Sequence, residues 1–161
     1  MAKTAKFVIA AWVGWISAVP GASSAELPND PAKRVFPVRS AKSATWHAKA
    51  KADALLGFKY EHGLGVPQSF ERAADLYLRA AERGDPTGQY LLGLMYDKGH
   101  GVWPDGVQAY KWLNLAAAHA PPRNRENYLR FRDAVAAKLT PAQLYQAQWL
   151  AYEWTPSSPQ W

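Results

Sequence analysis

The chain has 161 residues, no cysteine and a formal net charge of +6. That length suits one compact domain or a short repeat array. The missing thiol excludes disulfides, thiolate metal sites, a cysteine nucleophile and a lipidated N-terminal cysteine.

Residues 1–25 read as a secretory signal peptide. Lys3 and Lys6 give the positive start, residues 7–19 are apolar until Pro20, and Ser23, Ser24 and Ala25 supply small residues before a cleavage point at Glu26. The apolar run is short for a bilayer span, which needs about 20 residues; the alternative is an uncleaved anchor. The expectation is an exported protein, periplasmic or secreted. Export argues against nucleic acid as the normal partner.

Residues 26–45 follow as a basic linker with Pro28, Pro31 and Pro37, in which Val35, Phe36 and Val38 could dock as a short clip. Lys33, Arg34, Arg39, Lys42, Lys49 and Lys51 face no acid between residues 31 and 51, whereas the chain from Ala52 onward is balanced in charge. This basic arm could touch an anionic membrane surface, an acidic envelope polymer or a partner's acidic patch, or act only as a solvated spacer.

The central region repeats itself. At an offset of 36 residues, Leu55, Leu56, Gly57 and Tyr60 fall on Leu91, Leu92, Gly93 and Tyr96. Gly63, Gly65 and Val66 fall on Gly99, Gly101 and Val102, and Ala73, Ala80 and Ala81 on Ala109, Ala116 and Ala117. A gapless period of this size signals stacked supersecondary units, here helix, glycine loop, helix, over residues 46–84 and 85–120. In the second unit Asp85 and Pro86 start a helix that Gly99 stops, Val102 is expected to point inward, and Pro104 and Asp105 open the next helix. Ser69 is the equivalent cap in the first unit, and Gly84 ends it. Gly57 and Gly93 lie inside predicted helices, where glycine costs about 1 kcal/mol relative to alanine. A close helix approach from the Ala73 and Ala80, or Ala109 and Ala116, faces would account for both.

Pro121 and Pro122 then break the chain. A third pair over residues 121–154 lacks the glycine loop. Its first helix is predicted over residues 125–138, with Tyr128, Phe131, Val135 and Leu139 on one face. Thr140 and Pro141 start its second, with a stripe of Leu144, Ala147, Leu150 and Ala151. The expectation is a C-terminal cap with a polar outer face, followed by a loose tail over residues 155–161.

Leu56-Gly57 with Tyr60, the Gly63-x-Gly65-Val66 loop and Ala80-Ala81-Glu82-Arg83-Gly84 resemble the Sel1-like repeat family, a relative of the tetratricopeptide repeat. So do Leu92-Gly93, Tyr96, Gly99-x-Gly101-Val102, Asp105, Ala109, Trp112 and Ala116-Ala117. The run Leu139-Thr140-Pro141-Ala142-Gln143 with Trp154 is similar to the tail of small bacterial members. The second copy departs at Ala118-His119-Ala120, where a charged residue and glycine are usual. The resemblance covers roughly residues 48–154. It implies an all-α fold, an α-solenoid of helix-turn-helix repeats with a helical cap. It also implies an adaptor or regulator that binds other proteins, with no cofactor. A cysteine-rich branch of the family is linked to β-lactam binding, which does not carry over to a chain without cysteine.

In such stacks the first helices line the concave face. Leu55, Phe58, Tyr90, Leu91 and Leu94 lie outside the Leu56/Gly57/Tyr60 packing seam and could form an apolar groove for a partner peptide or helix; alternatively the third pair or the Val35–Val38 clip covers them. Trp46, Trp103 and Trp161 are candidate exposed anchors, against the readings that Trp103 packs under the glycine loop and Trp161 is a loose tail.

Catalysis finds little support. Ser69 and Thr140 serve as caps, Thr87 sits in a first turn, and no G-x-S-x-G or S-x-x-K occurs. His47, His62, His100 and His119 are never spaced by three or four residues, so no helical metal site is expected and they read as solvated loop residues. Glu61 and Asp97 share one repeat position on adjacent helices, about 8–10 Å apart. That leaves a cell-wall glycan hydrolase as an alternative, against two acids on a solvated face. Glycan binding and a polymer-tethered structural role for the basic arm are further alternatives.

Overall fold

A computed structural model describes residues 41–157. The expected signal peptide, the expected linker up to residue 40 with Val35, Phe36 and Val38, and Trp161 lie outside the described residues. Among those described, six helices and no strand are found: α1 (Ala41–His62), α2 (Phe70–Glu82), α3 (Pro86–Lys98), α4 (Gly106–His119), α5 (Pro122–Ala136) and α6 (Pro141–Tyr152).

The helix starts follow from local chemistry. The side chain of Ser69 accepts from the Arg72 N–H, that of Asp85 from the Gly88 N–H, and that of Asp105 from both the Val107 and Gln108 N–H groups. Each satisfies donors that a first turn leaves open. Thr140 and Gln143 form a reciprocal capping box at α6. α5 starts at Pro122, three residues earlier than the sequence suggests, because proline's fixed φ suits the first helical position. α1 starts at Ala41, so residues 41–45 belong to a helix and not to the linker. Ala41, Ala44 and Ala48 favour helix, and no proline follows Pro37 until the helix has ended.

The two glycine loops are built alike. The Leu64 N–H donates to the Lys59 carbonyl at 2.9 Å, and the His100 N–H to the Met95 carbonyl at 3.1 Å, each pair offset by one repeat. The Ser69 N–H returns to the Tyr60 carbonyl at 2.9 Å and the Asp105 N–H to the Tyr96 carbonyl at 3.0 Å. Gly99, at φ 72°, is the left-handed residue that closes α3. Val102 packs against the core, as its apolar character predicts.

Consecutive helices pack in chain order from α1 to α5, α1 also touches α3, and α4 carries both α5 and α6. The architecture is therefore an α-solenoid of two helix pairs closed by a third. Gly57 and Gly93 explain how close the pairs come. A Cβ at Gly57 would lie 2.7 Å from the Tyr77 ring and 3.2 Å from the Ala73 carbonyl oxygen. At Gly93 it would lie 2.8 Å from Leu113 and 3.2 Å from the Ala109 carbonyl oxygen. The backbone approach expected from the alanine faces is present, with a large side chain beside it.

One core runs through α2, α3 and α4 with Tyr77, Leu92, Met95 and Trp112. A second joins α4 to the third pair through Tyr110, Leu113, Val135 and Ala147. Two expectations about the C-terminus need correction. The outer face of the cap is not wholly polar, since Tyr145, Trp149 and Tyr152 on α6 are exposed among the polar residues. α6 contacts α4 through its narrow Leu144/Ala147/Leu150/Ala151 stripe, and its other faces remain open. The start of the tail is not loose. The Ser157 N–H and hydroxyl both donate to the Glu82 carbonyl, at 2.7 and 2.9 Å, and Pro156 lies beside Gly84.

Candidate functional site

Two adjoining hollows lie where α1 faces the start of α3 and the end of α4. One, of about 600 Å³, is walled by Trp46, His47, Arg83, Trp154 and Pro156. The other, of about 680 Å³, is walled by Leu55, Phe58, Leu91, Pro121 and Arg123. Lys51, Asp85, Pro86 and His119 line both, so they form one continuous groove.

The five groove residues expected from the sequence separate into two sets. Leu55 is 61% exposed and Phe58 39% exposed, and with the half-buried Leu91 they form the apolar floor of the second hollow. Tyr90 and Leu94 are not available. Leu94 packs into the core that α4 shares with α5 and α6. Tyr90 stacks on Tyr128 at 4.2 Å between centroids and meets Phe131 edge-on at 5.5 Å. This burial pushes the Tyr90 hydroxyl pKa up. They point to the side of α3 that the third pair covers, whereas Leu55, Phe58 and Leu91 line the open hollow.

The repeat-motif residues serve the stack. Gly57, Leu92 and Gly93 are buried, while Tyr60, Tyr96 and Val102 pack on the first core. Leu56 is 39% exposed against 1% for Leu92, because no preceding unit among the described residues covers it.

The end walls are held rigidly. Arg83 pairs with Asp53, tying the turn after α2 to α1. Its guanidinium also lies 4.9 Å over the Trp46 ring. Trp46 is thus half-buried in a wall of the groove and not a free anchor. Trp154 meets Trp112 edge-on at 6.0 Å and His119 at 6.4 Å. Trp103, in contrast, is 91% exposed and does not pack under the glycine loop. Val102 occupies the inward position, and Trp103 next to it faces solvent.

The residues weighed for catalysis have structural tasks. The Tyr77 hydroxyl donates to Glu61 Oε2 at 2.6 Å. Burial, with that hydrogen bond and charge added, raises the Tyr77 pKa well above the ordinary phenol range. Lys138 Nζ donates to Asp97 Oδ1 at 2.7 Å, tying the end of α3 to the segment after α5. The two carboxylates are therefore cross-links between helices and not bare acids on a solvated face. Three of the four histidines are helical. His47 lies inside α1, while His62 and His119 are the last residues of α1 and α4 and bond through Nδ1 to the Phe58 and Leu115 carbonyls. His100 lies in the loop, 4.9 Å from the Phe70 ring. Among the described residues no cluster of three or more His, Asp or Glu could hold a metal ion.

Sequence reasoning did not place Arg83, Pro121, Arg123 and Trp154 in the lining of the groove. The available signal was Pro121-Pro122. A forced chain reversal after α4 brings the next residues back beside the first-helix face.

The fold defines a helical-repeat protein, an α-solenoid of helix pairs. Residues 50–85 and 86–120 match the family described as Sel1 repeat, so the chain carries two Sel1 repeats. It is 39% identical over 66 residues to the ERAD-associated E3 ubiquitin-protein ligase component HRD3B of Arabidopsis thaliana, covering 40% of this chain and 11% of that protein. It is 35% identical over 95 residues to the chitin synthase regulator SKT5 of Saccharomyces cerevisiae, covering 56% and 14%. Among solved structures it resembles c5321, a protective antigen of uropathogenic Escherichia coli displaying an SLR fold, with a TM-score of 0.61 and 31% identity over 69% of this chain and 23% of that one. A Sel1 repeat protein from Oxalobacter formigenes gives a TM-score of 0.51 and 29% identity over 73% and 48%. The chain thus spans under half the length of each of these relatives. Sel1-repeat proteins generally act as protein-interaction adaptors.

Proposed function

We propose that this chain is a protein-interaction adaptor or regulator that holds a segment of a partner protein in the groove between α1, the start of α3 and the end of α4, and that it does so in the cell envelope. The observation that carries the first half is the apolar floor of the second hollow, where Leu55 and Phe58 are exposed beside the half-buried Leu91. Two similar proteins, a ligase component and a synthase regulator, are named for work alongside another protein, which supports an adaptor role. The second half rests on the signal-like pattern of residues 1–25. No described helix is long and apolar enough to cross a membrane.

The test is affinity capture from the envelope fraction with the protein and its Leu55→Ser/Phe58→Ser variant. Leu55 is mostly exposed and Phe58 partly so, so thermal stability should fall only slightly while a dominant partner is lost. Equal capture by both proteins removes the groove from the reading. N-terminal sequencing of the exported protein should begin at Glu26, and retention in the cytoplasm would overturn the envelope assignment. A second reading, tethering to an anionic polymer or membrane, is favoured by Lys49 and Lys51, which are exposed on the first half of α1. It requires salt-sensitive binding to anionic vesicles that weakens when residues 31–43 are deleted and is lost when Lys49 and Lys51 are also replaced by alanine.

A further inference from the structure

The groove is unevenly charged. Arg83 is committed to Asp53 and to the Trp46 ring. Asp85, the one acid in its lining, is 6% exposed and holds the Gly88 N–H at 2.8 Å, so it presents almost nothing to an incoming ligand. What remains is cationic. Lys51 on α1 and Arg123 in the first turn of α5 are both exposed, line the second hollow from two different helices, and are not ion-paired among the described residues. The N-terminus of α5 has no side-chain cap, so its positive end adds to the same field. The same hollow holds the Leu55/Phe58/Leu91 floor, with Leu55 one turn after Lys51 on α1.

We infer that the partner segment this groove accepts is an acidic peptide with apolar side chains, its carboxylates meeting Lys51 and Arg123 and an aliphatic or aromatic group lying between Leu55, Phe58 and Leu91. The inference rests on the adaptor reading above and adds the chemistry of the partner. Carboxylates at the rim steer encounter and exclude basic segments, while the apolar contact supplies most of the burial. Arginine offers a carboxylate a two-pronged donor, and lysine a point charge. A basic peptide would bring like charge against both cations with no available acid to compensate. A neutral apolar peptide would leave both charges partly desolvated and unpaired.

The experiment is selection of short random peptides displayed against the whole protein, followed by affinity measurement on the synthetic winners. The winners should be rich in Asp and Glu around Leu, Phe or Trp, and should weaken as salt is raised. Lys51→Glu/Arg123→Glu should lower their affinity at least about tenfold with an unchanged melting curve. Counterparts with Lys in place of each Asp and Glu should bind that double variant better than the original protein. Peptides that need Leu55 and Phe58 but are neutral or basic would overturn the acidic assignment and leave the groove as the binding site. Peptides indifferent to both pairs of substitutions, or a selection that yields none, would overturn the groove reading together with it.

Discussion

Gly93 sits where two opposing effects of a single methyl group can be compared. Alanine there would gain about 1 kcal/mol in helix propensity. Its Cβ would also lie 2.8 Å from Leu113 and 3.2 Å from the Ala109 carbonyl oxygen, and overpacking of that kind costs about 1–3 kcal/mol. Leu113 is fully buried and the carbonyl belongs to the α4 backbone, so neither can yield cheaply. Gly93→Ala should therefore destabilise, lowering the thermal midpoint by several degrees, and an unchanged or raised midpoint would refute the close approach. Tyr77 carries a second residue-scale prediction. Its folded pKa lies above its ordinary value of 10.0, for burial first and the Glu61 contacts second. A raised folded value means stability that is complete below pH 10 and is lost above it, as the unfolded chain releases a proton that the folded chain retains. Tyr90 and Tyr96 shift the same way. Stability should fall steeply in alkali, and Tyr77→Phe should make that fall shallower while costing about 1.5–3 kcal/mol at neutral pH, since Glu61 loses its donor. Denaturant midpoints measured across pH 7 to 11 would show both. The glycine pair was legible in the sequence because a cost repeated at one register calls for a cause. The Tyr77–Glu61 contact was not, because the two residues lie 16 positions apart on different helices and nothing local marks them as partners.

Helix starts were read more accurately than side-chain destinations. Ser69, Asp85, Asp105 and Thr140 all cap where the sequence places them, since capping depends on only three or four consecutive residues. Pro156 and Ser157 were misread because their surroundings come from distant parts of the chain, and the sequence left Trp103 open between exposure and packing. The start of the C-terminal tail reads as loose on composition, yet it closes over the turn between α2 and α3, with Trp154 between Trp112 and His119. Trp154→Ala should thus cost about 2 kcal/mol, somewhat less than a fully buried aromatic would. It should also increase hydrogen exchange at residues 82–86 more than at the glycine loops. Equal protection in both proteins would mean that the docked tail adds nothing. The groove shows the same limit at the level of elements. Its apolar floor was visible on a helical wheel, but Arg123 joins it only through the way α5 leaves α4.

Stacking gives each repeat position an energy set by its neighbours. Leu56 and Leu92 are the same residue at the same register, in helices of similar sequence, and local propensity gives no reason for them to differ. Leu92 is enclosed by the first pair and by α4, at 1% exposure, whereas Leu56 on the first helix remains 39% exposed. Removing Leu92 leaves a cavity as well as losing burial, so Leu92→Ala should cost about 2–5 kcal/mol. Leu56→Ala should cost under about 1 kcal/mol, because the space it leaves is already open to water on one side. If the two variants melt alike, then Leu56 is covered in solution and the open N-terminal edge is not part of the folded protein. If they separate as expected, the repeat identity that revealed the fold is also what isolates position in the stack as the cause, since register and chemistry are held constant between the two sites. The same comparison bears on the groove, whose floor includes Leu55 beside Leu56 on the uncovered helix and Leu91 beside Leu92 on the covered one. A partner seated there would bury Leu55 and Phe58 far more than Leu91, so bound partner should protect α1 from exchange more than it protects α3.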